Sequence, residues 1–395
     1  MSVTISSVEH ARKLARRRLP PAVFHYIEGG KENERTVRAN ELAFGRVLFD
    51  PHLGEAIKRA ETKVKVLGRE IAMPVVIAPT GFIRIVHKDA EPGAARAAHA
   101  AGIPIAISHL SGAPARDICA QNDDTWFQIY MINGREGVKA SIELARAAGC
   151  RVLVLTIDLS AITPFDRISR ALPSKADLAN AIAFLPEVWD RPGWLLALLA
   201  GGLTMNCPNA PPSPDGGAMA VGDVGKLLTA TPPTWDDVAW IRKQWDGPLL
   251  IKGVMRVADA RRALECGADG ISVSNHGGKV IDGVPAAVSV LPEIAEAVAD
   301  KIDVLLDGGV RRGADVVRAC ALGAKAVLIG RPYLWGLAAG GEAGVASVLR
   351  LFQRGVAATL SAIGCPSIQA LDRSFLRPLP DRTIWNDAPT VTRFD

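Results

Sequence analysis

The chain carries a histidine in the setting Ser274-Asn275-His276-Gly277-Gly278, directly after the apolar run Gly270-Ile271-Ser272-Val273. An imidazole aimed out of a strand end and flanked by polar residues and glycines reads as a proton acceptor rather than as a core histidine. Three other apolar runs also end in charged residues or glycine: Leu250-Ile251-Lys252-Gly253, Leu305-Leu306-Asp307-Gly308-Gly309-Val310-Arg311 and Val327-Leu328-Ile329-Gly330-Arg331. The tips offer distinct chemistries.

The last two tips pair glycine, which permits close backbone approach, with a forked guanidinium donor, a combination suited to a phosphate. The plainer reading is that these glycines only shape turns. Lys252 would point inward from its strand, where a buried ammonium needs an anion or an electron-rich acceptor. The edge of a flavin ring would serve, and an amine poised to form a Schiff base is the rival role. Asp158 ends another apolar run within reach of His276, where a carboxylate would raise the basicity of the imidazole and fix its tautomer. Tyr130 ends a further run, and its hydroxyl could donate to a substrate oxygen.

Side chains on so many strand ends meet only if the strands are parallel and the sheet closes. Eight runs qualify: 74–78, 103–108, 125–130, 151–157, 249–252, 270–274, 304–307 and 326–330. Each precedes a helical pattern, and Gly102, Gly149, Gly267 and Gly323 stand where left-handed helix caps would. The expected fold is an α/β chain forming a TIM (β/α)8 barrel, with its site where the strand tips converge. A doubly wound open sheet would not place polar tips on all eight strands in turn.

A barrel of this kind needs about 250 residues, so the surplus must elaborate it. The expected organisation is one domain over 1–395, with an N-terminal helical segment over 1–70 and a tail after Gln353. An insertion over 166–234 follows the fourth strand; its proline and glycine clusters and its position predict a lid over the pocket. The apolar stretch 193–203 is shorter than the ~20 residues of a membrane span, leaving pocket cover or contact with a membrane surface as its roles.

The 395 residues are 49% hydrophobic, enough for a large core. The net charge of +5 is scattered apart from the cluster Arg12 to Arg18, which reads as a solvated helix face and not as a nucleic-acid footprint. Six cysteines occur singly, and no charged, apolar leader opens the chain. Both features predict a cytoplasmic protein.

These motifs, together with Tyr26-Ile27-Glu28-Gly29-Gly30, Ala78-Pro79-Thr80-Gly81 and Phe127-Gln128-Ile129-Tyr130, resemble the FMN-dependent 2-hydroxy-acid oxidases and dehydrogenases, the family of glycolate oxidase, lactate oxidase and mandelate dehydrogenase. The resemblance implies FMN as cofactor, a small-molecule substrate, an electron acceptor that is dioxygen, a quinone or a redox carrier, and a tetrameric or octameric homo-oligomer. It implies that Ala78, Pro79, Thr80, Ser108, Gln128 and Thr156 contact the isoalloxazine ring, with Lys252 at its N1–O2 edge. Ser274, Asp307, Gly308, Gly309, Arg311, Gly330 and Arg331 would hold the ribityl chain and phosphate. His276 would abstract the proton, Asp158 would stabilise the imidazolium, and Tyr130 and Tyr26 would hold substrate oxygens.

Two positions depart from that family. Members acting on free hydroxy acids clamp the substrate carboxylate with two arginines; here Lys279 stands at one position and Phe165 at the other, with Arg167 two residues on. Lysine cannot reproduce a bidentate fork and phenylalanine cannot bind a carboxylate, so Arg167 and Lys279 are the remaining candidates. The stretches 186–194 and 230–235 are similar to one branch, the pre-mycofactocin synthases, which oxidise a peptide-derived aminopyrrolidinone at a carbon bearing an amine.

Overall fold

The computed structural model describes residues 4–161, 186, 188–200, 206–211, 219–220 and 227–377. Within them, eight parallel strands close into a barrel in sequence order. They are β1 (Val75–Ile77), β2 (Ile105–Ser108), β3 (Thr125–Ile129), β4 (Val152–Thr156), β5 (Leu249–Val254), β6 (Gly270–Val273), β7 (Asp303–Asp307) and β8 (Ala326–Ile329). The barrel closes where Val327 of β8 pairs with Val75 of β1. Aliphatic side chains fill both faces of these strands, so that all five residues of β3 and of β4 are buried. This burial on two sides is why parallel strands read as continuous apolar runs instead of alternating ones.

Helices surround the strands: α1 (Val8–Arg18), α2 (Pro21–Glu28), α3 (Arg35–Arg46), α4 (Ala90–Ala100), α5 (Ala115–Cys119), α6 (Gly134–Ala148), α7 (Pro192–Ala200), α8 (Trp235–Gln244), α9 (Val257–Glu265), α10 (Ala287–Val298), α11 (Gly313–Ala321) and α12 (Arg331–Ala362). The glycines expected to cap them do adopt left-handed backbone, with φ of 65° at Gly102, 79° at Gly149, 82° at Gly267 and 109° at Gly323. Ser7 caps α1, its hydroxyl accepting from the His10 N–H. The basic cluster ends the same helix, where Arg16, Arg17 and Arg18 favour its carbonyl pole.

Two features differ from the sequence expectation. The segment before β1 is not wholly helical, because Val64–Val66 and Arg69–Ile71 form an antiparallel hairpin. The chain after Gln353 continues α12 to Ala362, a 32-residue element divided by a non-helical step at Gly340 and Gly341. That glycine pair lets its two halves pack on different neighbours, among them α1, α4 and α11. Among the described residues no helix is long and apolar enough to cross a membrane. Most of the expected lid lies outside the described residues.

Candidate active site

The barrel aligns the strand tips by register. Thr156 of β4 and Ser272 of β6 both pair with Lys252 of β5, which sets Asp158, Ser274 and Lys252 around one corner of the mouth. The Lys252 ammonium donates to Ser274 Oγ at 2.9 Å and lies 3.1 Å from Asp307 Oδ2. Ser274 in turn donates to Asp307 Oδ1 at 2.8 Å and accepts from the His276 N–H at 3.1 Å. Burial works against the charge on Lys252, but Asp307 and Asp158 outweigh it and hold the amine above its ordinary value. The described environment is thus that of a paired cation, with Asp307 as the anion that the buried ammonium requires.

His276 sits at φ 57°, followed by Gly277 at 62° and Gly278 at 78°. A left-handed histidine is uncommon and locally strained, and it persists here because the surrounding contacts fix it. The turn bends the imidazole back toward β4, with Nδ1 3.0 Å from Asp158 Oδ1 and 3.2 Å from Oδ2. Burial opposes ionisation of Asp158, yet the His276 ring and the more distant Lys252 hold its carboxyl below the usual range. An ionised carboxylate can only accept, so Nδ1 carries a proton, and in the neutral ring Nε2 is the acceptor. Gly253, at φ 108°, makes room for this pair: a Cβ there would stand 2.6 Å from the Asp158 Cβ.

Tyr130 and Tyr26 border the same pocket, together with Ala78, Pro79, Thr80, Ser108, Gly308, Gly309 and Gly330. Burial raises the Tyr130 hydroxyl above its ordinary value, with Asp158 and Tyr26 adding to the effect, which keeps it a proton donor. The Tyr26 hydroxyl donates to the Gly81 carbonyl at 2.9 Å. Ser108 Oγ donates to Gln128 Oε1 at 3.1 Å, and the Gln128 amide donates to the Ile129 carbonyl at 2.9 Å.

Two arginines lie at the far end. Arg331 donates to the carbonyls of Glu28, Gly277 and Gly29, each at 3.0 Å, tying the histidine turn to the C-terminus of α2. Arg311 pairs with Glu41 at 2.6 Å and stacks over Trp335, 5.1 Å from the ring centre. Lys279 lines the same pocket and is tied to backbone carbonyls. Its ammonium donates to the carbonyls of Tyr26 at 2.7 Å and Gly29 at 3.0 Å. Burial and the neighbouring Arg331 push it well below its ordinary pKa. Arg167 and Phe165 lie outside the described residues.

One supporting residue escaped the sequence reading. Asn40 of α3 pairs reciprocally with the Asn275 amide, at 2.8 and 2.9 Å, and so holds the residue before the histidine. A buried asparagine inside a helix is a poor helix former, and that mismatch was the available signal.

Thr156 Oγ1 is buried at the tip of β4 without a hydrogen-bond partner. A polar orphan of this kind is satisfied by a bound group, and it lies in register with Lys252 of the pocket. The residues present fit an FMN: a buried cation and hydroxyls on one side, and two arginines with Gly308, Gly309 and Gly330 at the other.

Comparison with known proteins agrees. The family model described as FMN-dependent dehydrogenase matches residues 15–378. A pre-mycofactocin synthase of Mycolicibacterium smegmatis is 42% identical over 93% of both chains. An L-lactate dehydrogenase of Pectobacterium atrosepticum is 35% identical over 96% of this chain and 99% of its own. The crystal structure of the monotopic membrane protein (S)-mandelate dehydrogenase superposes with a TM-score of 0.87 at 34% identity, covering 95% of this chain and 100% of that one. The chain therefore belongs to the FMN-dependent dehydrogenase family, and is an FMN oxidoreductase of the 2-hydroxy-acid dehydrogenase and oxidase type.

Proposed function

We propose that the enzyme oxidises a carbon bearing a hydroxyl or an amine beside a carbonyl, with His276 accepting the proton released there. The observation that carries this reading is the Asp158 to His276 contact of 3.0 Å, which leaves Nε2 free to accept. As the proton arrives, the ring becomes an imidazolium facing an ionised carboxylate, which stabilises it. FMN, when bound, supplies the two-electron acceptor. Tyr130, kept protonated by burial, donates to a substrate oxygen, and Tyr26 lines the same wall. Lys252, with Ser274 and Asp307, sets a fixed positive charge at the base of the pocket.

A second reading is favoured by the Lys279 ammonium, which is spent on the Tyr26 and Gly29 carbonyls. A site without a carboxylate fork there suits a larger, less acidic substrate, such as the aminopyrrolidinone of the pre-mycofactocin synthases; a relative of that name is 42% identical. Anaerobic flavin bleaching against lactate, glycolate, mandelate, their amides and the aminopyrrolidinone decides between the two. Fast bleaching by the small acids supports the hydroxy-acid reading, and bleaching confined to the amides and the aminopyrrolidinone supports the second. Bleaching by none of them counts against both.

We place the protein in the cytoplasm as a homo-oligomer that passes its electrons to dioxygen, a quinone or a redox carrier. The singly spaced cysteines support that compartment. A membrane-surface contact is the alternative, supported by Trp189 and Leu196, 76% and 66% exposed around α7. Co-sedimentation with anionic vesicles separates the two.

A further inference from the structure

We propose that Cys119 and Cys150 form a peroxide-responsive dithiol that closes to a disulfide at the base of the barrel. The two sulfurs lie 3.3 Å apart with both cysteines free, although 31 positions separate them in the chain. A disulfide needs about 2.05 Å between sulfurs, so rotation of the two side chains closes the gap.

The fold holds both residues in place for this. Cys119 is the last residue of α5, which packs against α6. Cys150 follows the left-handed cap Gly149, and its N–H donates to the Ala145 carbonyl at 2.9 Å. It stands just before β4, at the end of the barrel opposite the His276 site. Cys119 is partly exposed and Cys150 is buried, which assigns their roles. The hydrogen bond from Cys150 lowers the Cys119 thiol and raises Cys150, giving one nucleophile and one reserve thiol.

In the first step the Cys119 thiolate attacks a hydroperoxide: an S–O bond forms, the O–O bond breaks, and the leaving alkoxide or hydroxide takes up a proton. Sulfur is oxidised by two electrons and the peroxide is reduced. In the second, the Cys150 sulfur attacks the Cys119 sulfenic acid; the S–S bond forms, the S–O bond breaks, and water leaves with the Cys150 proton. The closed ring would span β3 with Gln128 and Tyr130. The other thiols are poorer candidates, since burial pushes Cys207 and Cys320 up to about 12.

The test treats the reduced FMN-loaded protein with hydrogen peroxide, denatures it, alkylates it with a maleimide and maps the peptides. The expected result is loss of two of the six alkylatable thiols, recovered with dithiothreitol, and one crosslink joining the peptides of Cys119 and Cys150. In Cys150→Ser, dimedone should label Cys119 and no crosslink should form. Six alkylated thiols after peroxide, a crosslink between other cysteines, or a Cys150→Ser protein unlabelled at Cys119 would each overturn the proposal. Mapping of the parent protein decides the matter alone if the serine variant does not fold.

Discussion

His276 at the tip of β6 and Asp158 just beyond β4 meet across the barrel mouth, with Nδ1 3.0 Å from the nearer carboxylate oxygen. Because the pair fixes which nitrogen carries the proton, Asp158→Asn would keep the packing while removing the charge that stabilises the imidazolium. We expect slower flavin reduction in that variant, by less than the loss on removing His276 itself. Stopped-flow reduction of the two variants side by side measures the order.

Lys252 and Asp307 are both buried, and removing one strands the other. Lys252→Met should destabilise the apoprotein by roughly 3–5 kcal/mol, as breaking buried ion pairs does. The double variant with Asp307→Asn should recover part of that loss, because the stranded carboxylate is gone. Denaturant unfolding of the parent and the two variants tests this; equal losses in the single and double variants would show that the pair is not the source.

Lys279 serves here as a tether between the histidine turn and the C-terminus of α2. Lys279→Met should lower stability by about 1.5–3 kcal/mol, the scale of hydrogen bonding to a charged group, and move the lactate KM by less than about threefold. A KM rise of tenfold or more would instead identify Lys279 as a carboxylate clamp.

Glu91 of α4 is buried, and burial raises its carboxyl to about 7 from an ordinary 4.5, against the opposing N–H of Gly112. The folded state therefore holds the proton more tightly. The resulting stability is fully present below the unfolded value of 4.5 and is lost as pH rises through about 7. Glu91→Gln keeps an oxygen for Gly112 and removes the ionisation, so its Tm should fall less than the parent's between about pH 5 and pH 8. Parallel melting curves would contradict the assignment.

The barrel was legible because strands buried on both faces appear as unbroken aliphatic runs, and because Gly102, Gly149, Gly267 and Gly323 mark helix ends. The convergence of the tips was legible for the same reason: Lys252, His276 and Asp307 are polar residues at the ends of such runs, and they line one pocket. The partner of Asn40 was not, since Asn275 lies 235 positions away and a helical asparagine does not name its contact. Nor was the direction of Lys279, because the carbonyls it binds belong to a distant helix end. The extent of α12 was missed as well, since the tail expected after Gln353 is helical to Ala362.

In the function proposed here, His276 takes the proton from substrate in an FMN-dependent oxidation. The direct measurement is anaerobic rapid mixing of the FMN-loaded His276→Gln variant and its parent with the best substrate from the panel. We predict that the variant keeps its FMN and reduces it at least ~10²-fold more slowly, the scale of a lost general base. Reduction at the parent rate, with FMN fully retained, would mean that the proton leaves through another group.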